Sequence, residues 1–227
     1  METLGPQLIK VLEIIWINII LSGDNAVVIA LACRGLPPHQ QRTGMVLGAG
    51  VAVVLRIVFT VLVATLLTTP FLKILGGLLL LWVAVKLLTG EEEAEAGIRE
   101  SERLWHAVKT VAIADAVMSL DNVLAIAAVA KDSTVMLVLG LAISIPLIVA
   151  GASLIIKLLE RMPLLVWAGA ALLGWIAGEM LISDPALVSR LGEDLAHRLD
   201  LPAALIGAVF VVGLGFALTR RAAVSRA

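Results

Sequence analysis

Charge is scarce in this chain. Only 15% of its 227 residues are Asp, Glu, Lys or Arg, against 60% apolar, and the mean hydropathy is +1.05. A water-soluble domain of this size has no use for apolar runs of roughly 20 residues repeated end to end. Cysteine occurs once, at Cys33, which excludes an intramolecular disulfide and any cysteine-cluster metal site. The three histidines, His39, His106 and His197, fall at span ends or in loops, so none is placed to be a core ligand. With no histidine-rich centre and no nucleophile–base pair, an enzyme is not expected. No long basic stretch exists to track a phosphate backbone, and a net charge of −1 gives no reason to expect nucleic acid.

What the chain has instead is length in oil. Apolar segments fall at about 7–32, 44–67, 71–89, 107–130, 134–157, 163–182 and 201–219, each able to cross a hydrocarbon core. The expectation is an all-α polytopic membrane protein with about seven transmembrane helices. The first run is too long and wrongly flanked for a secretory signal, and lipoprotein cleavage before Cys33 would remove the first helix. Leaving out Arg56 in mid-span, Lys and Arg divide 11 against 5 between the two sides, which predicts an outside N-terminus and a cytoplasmic C-terminus. The stretch "SDPALVSRLGEDLAHRLD" before the last span is amphipathic and is expected along the outer interface.

The chain also repeats itself. "IIWINIILSGDNAVVIALA" (14–32) lies without a gap against "VAIADAVMSLDNVLAIAAVA" (111–130), matching Asn18 to Asp115, Ser22 to Ser119, Asp24 to Asp121 and Asn25 to Asn122. "PFLKILGGLLLLWVAVK" (70–86) lies against "PLLVWAGAALLGWIAGE" (163–179), with Pro70 on Pro163, Gly76 on Gly169, Trp82 on Trp175 and Lys86 opposite Glu179. Spans 2 and 5 match loosely, around Leu47-Gly48 and Leu139-Gly140. A repeat of three spans must insert the other way up, giving two inverted three-helix repeats plus one extra C-terminal helix. The expected organisation is a first repeat over 1–90, a cytoplasmic linker over 91–106, a second repeat over 107–182, and the outer segment, seventh span and tail over 183–227.

Asn18, Ser22 and Asn25 are spaced four and three along span 1, and Asp115, Ser119 and Asn122 repeat that face on span 4. Asp24 and Asp121 stand one residue off it and join the site if the helix opens locally, which Gly23 eases in span 1 and Leu120 makes milder in span 4. The candidate ligands are therefore Asp24, Asn25, Asp121, Asn122, Asp115 and Asn18. Carboxylate and amide oxygens suit a hard or borderline divalent cation such as Mn²⁺, Mg²⁺ or Ca²⁺, carried as substrate with no tightly bound cofactor. Met118 lies close to the face, and a helical Met is ordinarily core. Three acids at one cavity would not all ionise without a cation, so an empty site would hold protons and release them as metal binds. The same acids would equally serve as a proton relay for another substrate, Ca²⁺ or an amino acid. Arg56 in mid-span 2 needs a partner, and both Glu179 and the site acids are open to it, as a structural pair or as a gate.

The doubled "SGDNAVVIALA" and "SLDNVLAIAAVA", in a seven-span chain of this length, resembles the TerC family of bacterial integral membrane proteins, and within it the short YjbE/YkoY-type branch of the broader LysE-like transporter group. The resemblance runs from about residue 8 to 219. It implies manganese export from the cytoplasm, with an older label of tellurium resistance. It also implies a multi-pass place in the bacterial cytoplasmic membrane and a bare transport unit, alone or as a homodimer. By match to the motifs it makes Asp24, Asn25, Asp121 and Asn122 the metal-binding core, with Asp115 and Asn18 as additional ligands. A membrane partner subunit for an oxidoreductase or a tellurite-resistance complex is the alternative of another class.

Overall fold

In a bilayer no water reaches the backbone, so an apolar run satisfies its N–H and C=O groups internally by coiling into a helix. The computed structural model describes residues 23–90, 100–130 and 134–224, with side chains except those of residues 61, 63–68, 100, 120–130, 134–140 and 222–224. Among them lie eight helices and no strand: α1 (Gly23–Cys33), α2 (Pro38–Thr68), α3 (Leu72–Thr89), α4 (Glu100–Ala130), α5 (Thr134–Arg161), α6 (Leu164–Ile182), α7 (Pro185–Leu191) and α8 (Glu193–Val224). Five segments, in α2, α3, α5, α6 and α8, are long and apolar enough to cross a membrane. α4 covers the expected fourth span and carries Asp115 and Asp121 within it, while the expected first span is described from Gly23 onward. The chain is an all-α, multi-pass membrane protein.

Two compact units divide the chain. The first takes residues 1–67 and 104–157, the second 68–103 and 158–227. In the first, α1 is buried almost all round: Val28, Ile29, Ala30, Leu31 and Cys33 are each 3% exposed or less. Two glycines one turn apart let α2 come close. A Cβ at Gly44 would lie 3.1 Å from Cys33 Sγ and 2.8 Å from Leu36 Cδ1, and one at Gly48 would lie 3.1 Å from Val111 Cγ1. The Gly44-x-x-x-Gly48 spacing, a weak signal in sequence, is thus the seam of α2 with α1 and α4. Leu141, Ile148, Ala152 and Ile156 of α5 are buried, and Ser153 donates to the Val149 carbonyl at 2.7 Å. Pro146 sits inside α5, where it withholds one backbone N–H; Ser144 Oγ bonds the Leu141 carbonyl at 2.6 Å beside it.

The second unit is sewn along small residues. A Cβ on Gly178 of α6 would strike the Ala203 carbonyl of α8, and one on Gly207 would strike the Gly174 carbonyl. Lipid tails give helices no hydrophobic reason to pair, so such backbone-to-backbone contact is what holds them. Gly77 does the same for α3 against Ala177 and Leu181. The other faces carry Leu75, Leu78 and Trp82 of α3 and Ile206, Val209 and Phe210 of α8, all exposed apolar side chains for which lipid is the natural solvent. The amphipathic stretch before the last span is not one separate element. α7 ends at Leu191, Gly192 caps it, and Glu193–Asp200 is continuous with the rest of α8, which accommodates Pro202.

Asp184, fully buried, organises one end of this unit. Its carboxylate accepts backbone N–H groups from Phe71, Lys73, Ile74 and Ala186 at 3.0, 3.1, 3.3 and 2.8 Å. It therefore caps both α3 and α7, satisfying first-turn donors that have no partner within their helices. Phe71, at the entry to α3, holds a left-handed φ of 65°. A bulky side chain is seldom found there, and the bond from its N–H to Asp184 helps fix it.

Candidate functional site

Helical backbone is self-satisfied; polar side chains inside a span are not, and each must find its own partner. Within the first unit, α4 brings Asp115 to a position where both carboxylate oxygens are engaged. Arg56 Nη2 of α2 donates to Oδ1 at 3.0 Å, and Ser119 Oγ, one turn along α4, donates to Oδ2 at 3.2 Å. Arg56 and Asp115 are each 3% exposed and Ser119 is wholly buried. Burial of this depth makes the pair mutually dependent, because either charge alone would be uncompensated. Of the partners that the sequence leaves open for Arg56, the structure has the site acid.

Asn25 of α1, 4% exposed, lines the same crevice as Asp115. Val28, Ile29 and Val111 complete its walls, which close in tightly around the two polar side chains. Asp24 is half-buried beside it; its Oδ1 accepts the Asn25 N–H at 2.8 Å, and it lies within Coulombic range of Arg56 and Asp115. Asn25 and Asp115, drawn from helices about 90 residues apart in sequence, thus line one crevice, with Asp24 bonded to the Asn25 N–H and Arg56 held on Asp115. Hard oxygen donors against apolar walls suit a hard cation better than a soft one. Among the described residues, no group of three or more His, Cys, Asp or Glu stands close enough to hold a metal ion.

The other candidate ligands stand as follows. Asn18 lies outside the described residues. Asp121 and Asn122 are on α4, whose backbone is helical without a break from Ser119 through Asn122, so the local opening expected near Leu120 is absent. On that regular helix Asn122 is two turns from Asp115 and shares its face, while Asp121 is about 100° from Asn122. Their side chains lie outside the described set. Glu179 belongs to the second unit, where it is exposed and accepts from Trp175 Nε1 at 2.7 Å. At the matched place in α3, Lys86 lies over the Trp82 ring, 5.3 Å from its centroid. His39, His106 and His197 are all exposed, and Met118 is buried.

The profile of the integral membrane protein TerC family matches residues 4–224. The chain belongs to the TerC family. Similar relatives are three proteins of Bacillus subtilis (strain 168), each called an uncharacterized membrane protein. YjbE is 43% identical over 180 residues, 79% of this chain and 82% of that one. YceF is 31% identical over 170 residues, covering 71% and 66%. YkoY is 26% identical over 204 residues, covering 79% and 63%. No solved structure matches the chain. As a TerC protein it is a membrane transporter of the bacterial inner membrane, crossing it several times, and not an enzyme.

In this TerC chain, sequence reasoning passed over Asp184, although an Asp immediately before Pro185 is a helix-start signal. It placed Ser119 on the face of Asp115 and Asn122 but gave it no bond to Asp115.

Proposed function

We propose that the chain is a secondary transporter that exports a divalent metal cation, with Mn²⁺ as cargo and proton exchange as the coupling. One observation carries the reading: Asn25 and Asp115, from opposite halves of the chain, line one buried crevice, with Asp24 within electrostatic reach. Packing alone has no need of an acid there, and an acid with two neighbouring oxygen donors is a cation site in waiting. In this reading Asp24, Asn25 and Asp115 are joined by Asp121, Asn122 and Asn18 to complete the ligand set.

The architecture that goes with it is seven spans in two inverted three-helix repeats, 1–90 and 107–182, joined by a cytoplasmic linker and followed by a seventh helix. The N-terminus is outside and the C-terminus cytoplasmic. The compact units support this plan, since each half of the chain gives its first two helical stretches to one unit and its third to the other. On this plan the chain stands with the LysE-like transporters and functions alone or as a homodimer.

The test is flux. In liposomes, wild-type protein carries Mn²⁺ in preference to Ca²⁺ and Mg²⁺, faster with an opposing pH gradient, while Asp24→Asn and Asp121→Asn lose at least about 90% of it. Equal Mn²⁺ flux in all three sinks the site. Arg56, bonded to the crevice's Asp115, favours a second reading, a proton-coupled carrier of an amino acid. Amino-acid uptake with no Mn²⁺ flux in the same vesicles decides for that one.

A further inference from the structure

Resting on the cation-site reading, we infer that Arg56 is a built-in stand-in for the transported ion. Its guanidinium holds Asp115 while the site is empty, and the incoming divalent cation must displace it. The two side chains meet at 3.0 Å and each is 3% exposed, so water screens neither. A carboxylate that deep needs either a positive partner or a proton in every state of the transport cycle. It has room for one at a time: a divalent ion on Asp115 would stand a few ångströms from the guanidinium, and their repulsion in a poorly screened crevice is large. Occupancy of Asp115 by Arg56 and by the ion is therefore exclusive.

The surroundings fit an exchange. Ser119 holds Oδ2 while Arg56 holds Oδ1, so the acid stays aimed when one oxygen is released. Thr60 Oγ1 donates to the Arg56 carbonyl at 2.7 Å, a back-bond of the kind that loosens and bends a helix, placed where the guanidinium stem leaves it.

The internal repeat adds a separate argument. Extending the Leu47-Gly48 against Leu139-Gly140 register puts Ile148 opposite Arg56, just as Asn18 stands opposite Asp115. The sequence counterpart of the Arg56–Asp115 pair is then Ile148 with Asn18, and neither carries charge. One half-site has the charge lock and the other does not. A single lock is what a carrier of one ion requires, and the competition it imposes keeps the ion from binding too tightly to be released.

The test uses the purified full chain in detergent, with Mn²⁺ binding followed by calorimetry. Arg56→Gln binds Mn²⁺ about tenfold or more tightly than wild type, Arg56→Lys falls between, and Asp115→Asn binds more than about tenfold more weakly. In wild-type protein, which raises no question of folding, Mn²⁺ increases amide hydrogen exchange over residues 52–60 as Arg56 lets go. If Arg56→Gln cannot be purified folded, that exchange decides alone. Unchanged exchange, or an Arg56→Gln protein that binds no better than wild type while Asp115→Asn has lost the ion, overturns the lock and leaves the site standing. Asp115→Asn that binds as wild type does removes the site and the lock together.

Discussion

Asp184 accepts the backbone N–H of Phe71 across 113 residues of chain, and with its other bonds ties the start of α3 to the start of α7. Removing the carboxylate strands four buried or half-buried donors at once, each costing on the order of 1 kcal/mol or more. Asp184→Ala is expected to lose about 3 kcal/mol or more of stability, and Asp184→Asn, which keeps one acceptor oxygen, about half as much. Thermal unfolding in detergent measures both. An alanine variant as stable as wild type would mean that water or lipid headgroups replace the cap.

The Arg56–Asp115 pair makes a different prediction, because its stability cost depends on which side is cut. Arg56→Met leaves a buried acid without its cation and is expected to cost about 3–5 kcal/mol. Combining it with Asp115→Leu removes both charges and restores most of that loss. Denaturant titration of the single and double variants gives the coupling; additive losses would mean that the two side chains act independently.

Glycine positions should separate sharply. Gly178→Leu drives a side chain into the Ala203 carbonyl, whereas Gly213→Ala enters open space. The first is expected to split α6 from α8 and yield protease-sensitive, aggregating protein; the second is expected to be silent. Fluorescence-detected size exclusion distinguishes them, and a monodisperse Gly178→Leu protein would refute the seam.

Hydropathy alone located α3 and α6 to within a residue or two, because both are apolar nearly from end to end. It placed the starts of α2, α4 and α8 too late. These helices begin at Pro38, Glu100 and Glu193, several residues before their apolar runs, since hydropathy marks where a helix meets oil and not where its hydrogen bonds start. Helical spacing singled out Asn25 and Asp115, and the cost of a buried guanidinium singled out Arg56. Which acid Arg56 would choose was not legible, because spacing within a helix carries no information on how two helices pack. Asp184 was hidden for the same reason: its partners at 71–74 are distant in sequence, and the polar text around it reads as a surface segment.

Neither compact unit can be completed from the first half of the chain, since the first draws on residues 104–157 and the second on 158–227. Synthesis runs from the N-terminus, so Arg56 enters the membrane 59 residues ahead of the acid that will neutralise it. An arginine at mid-span costs about 2.5–3.5 kcal/mol on insertion scales, carried until α4 arrives. Early helices must therefore wait beside the insertion machinery, half-finished, for their partners to be made. A nascent chain arrested before residue 115 would be a natural substrate for membrane proteases.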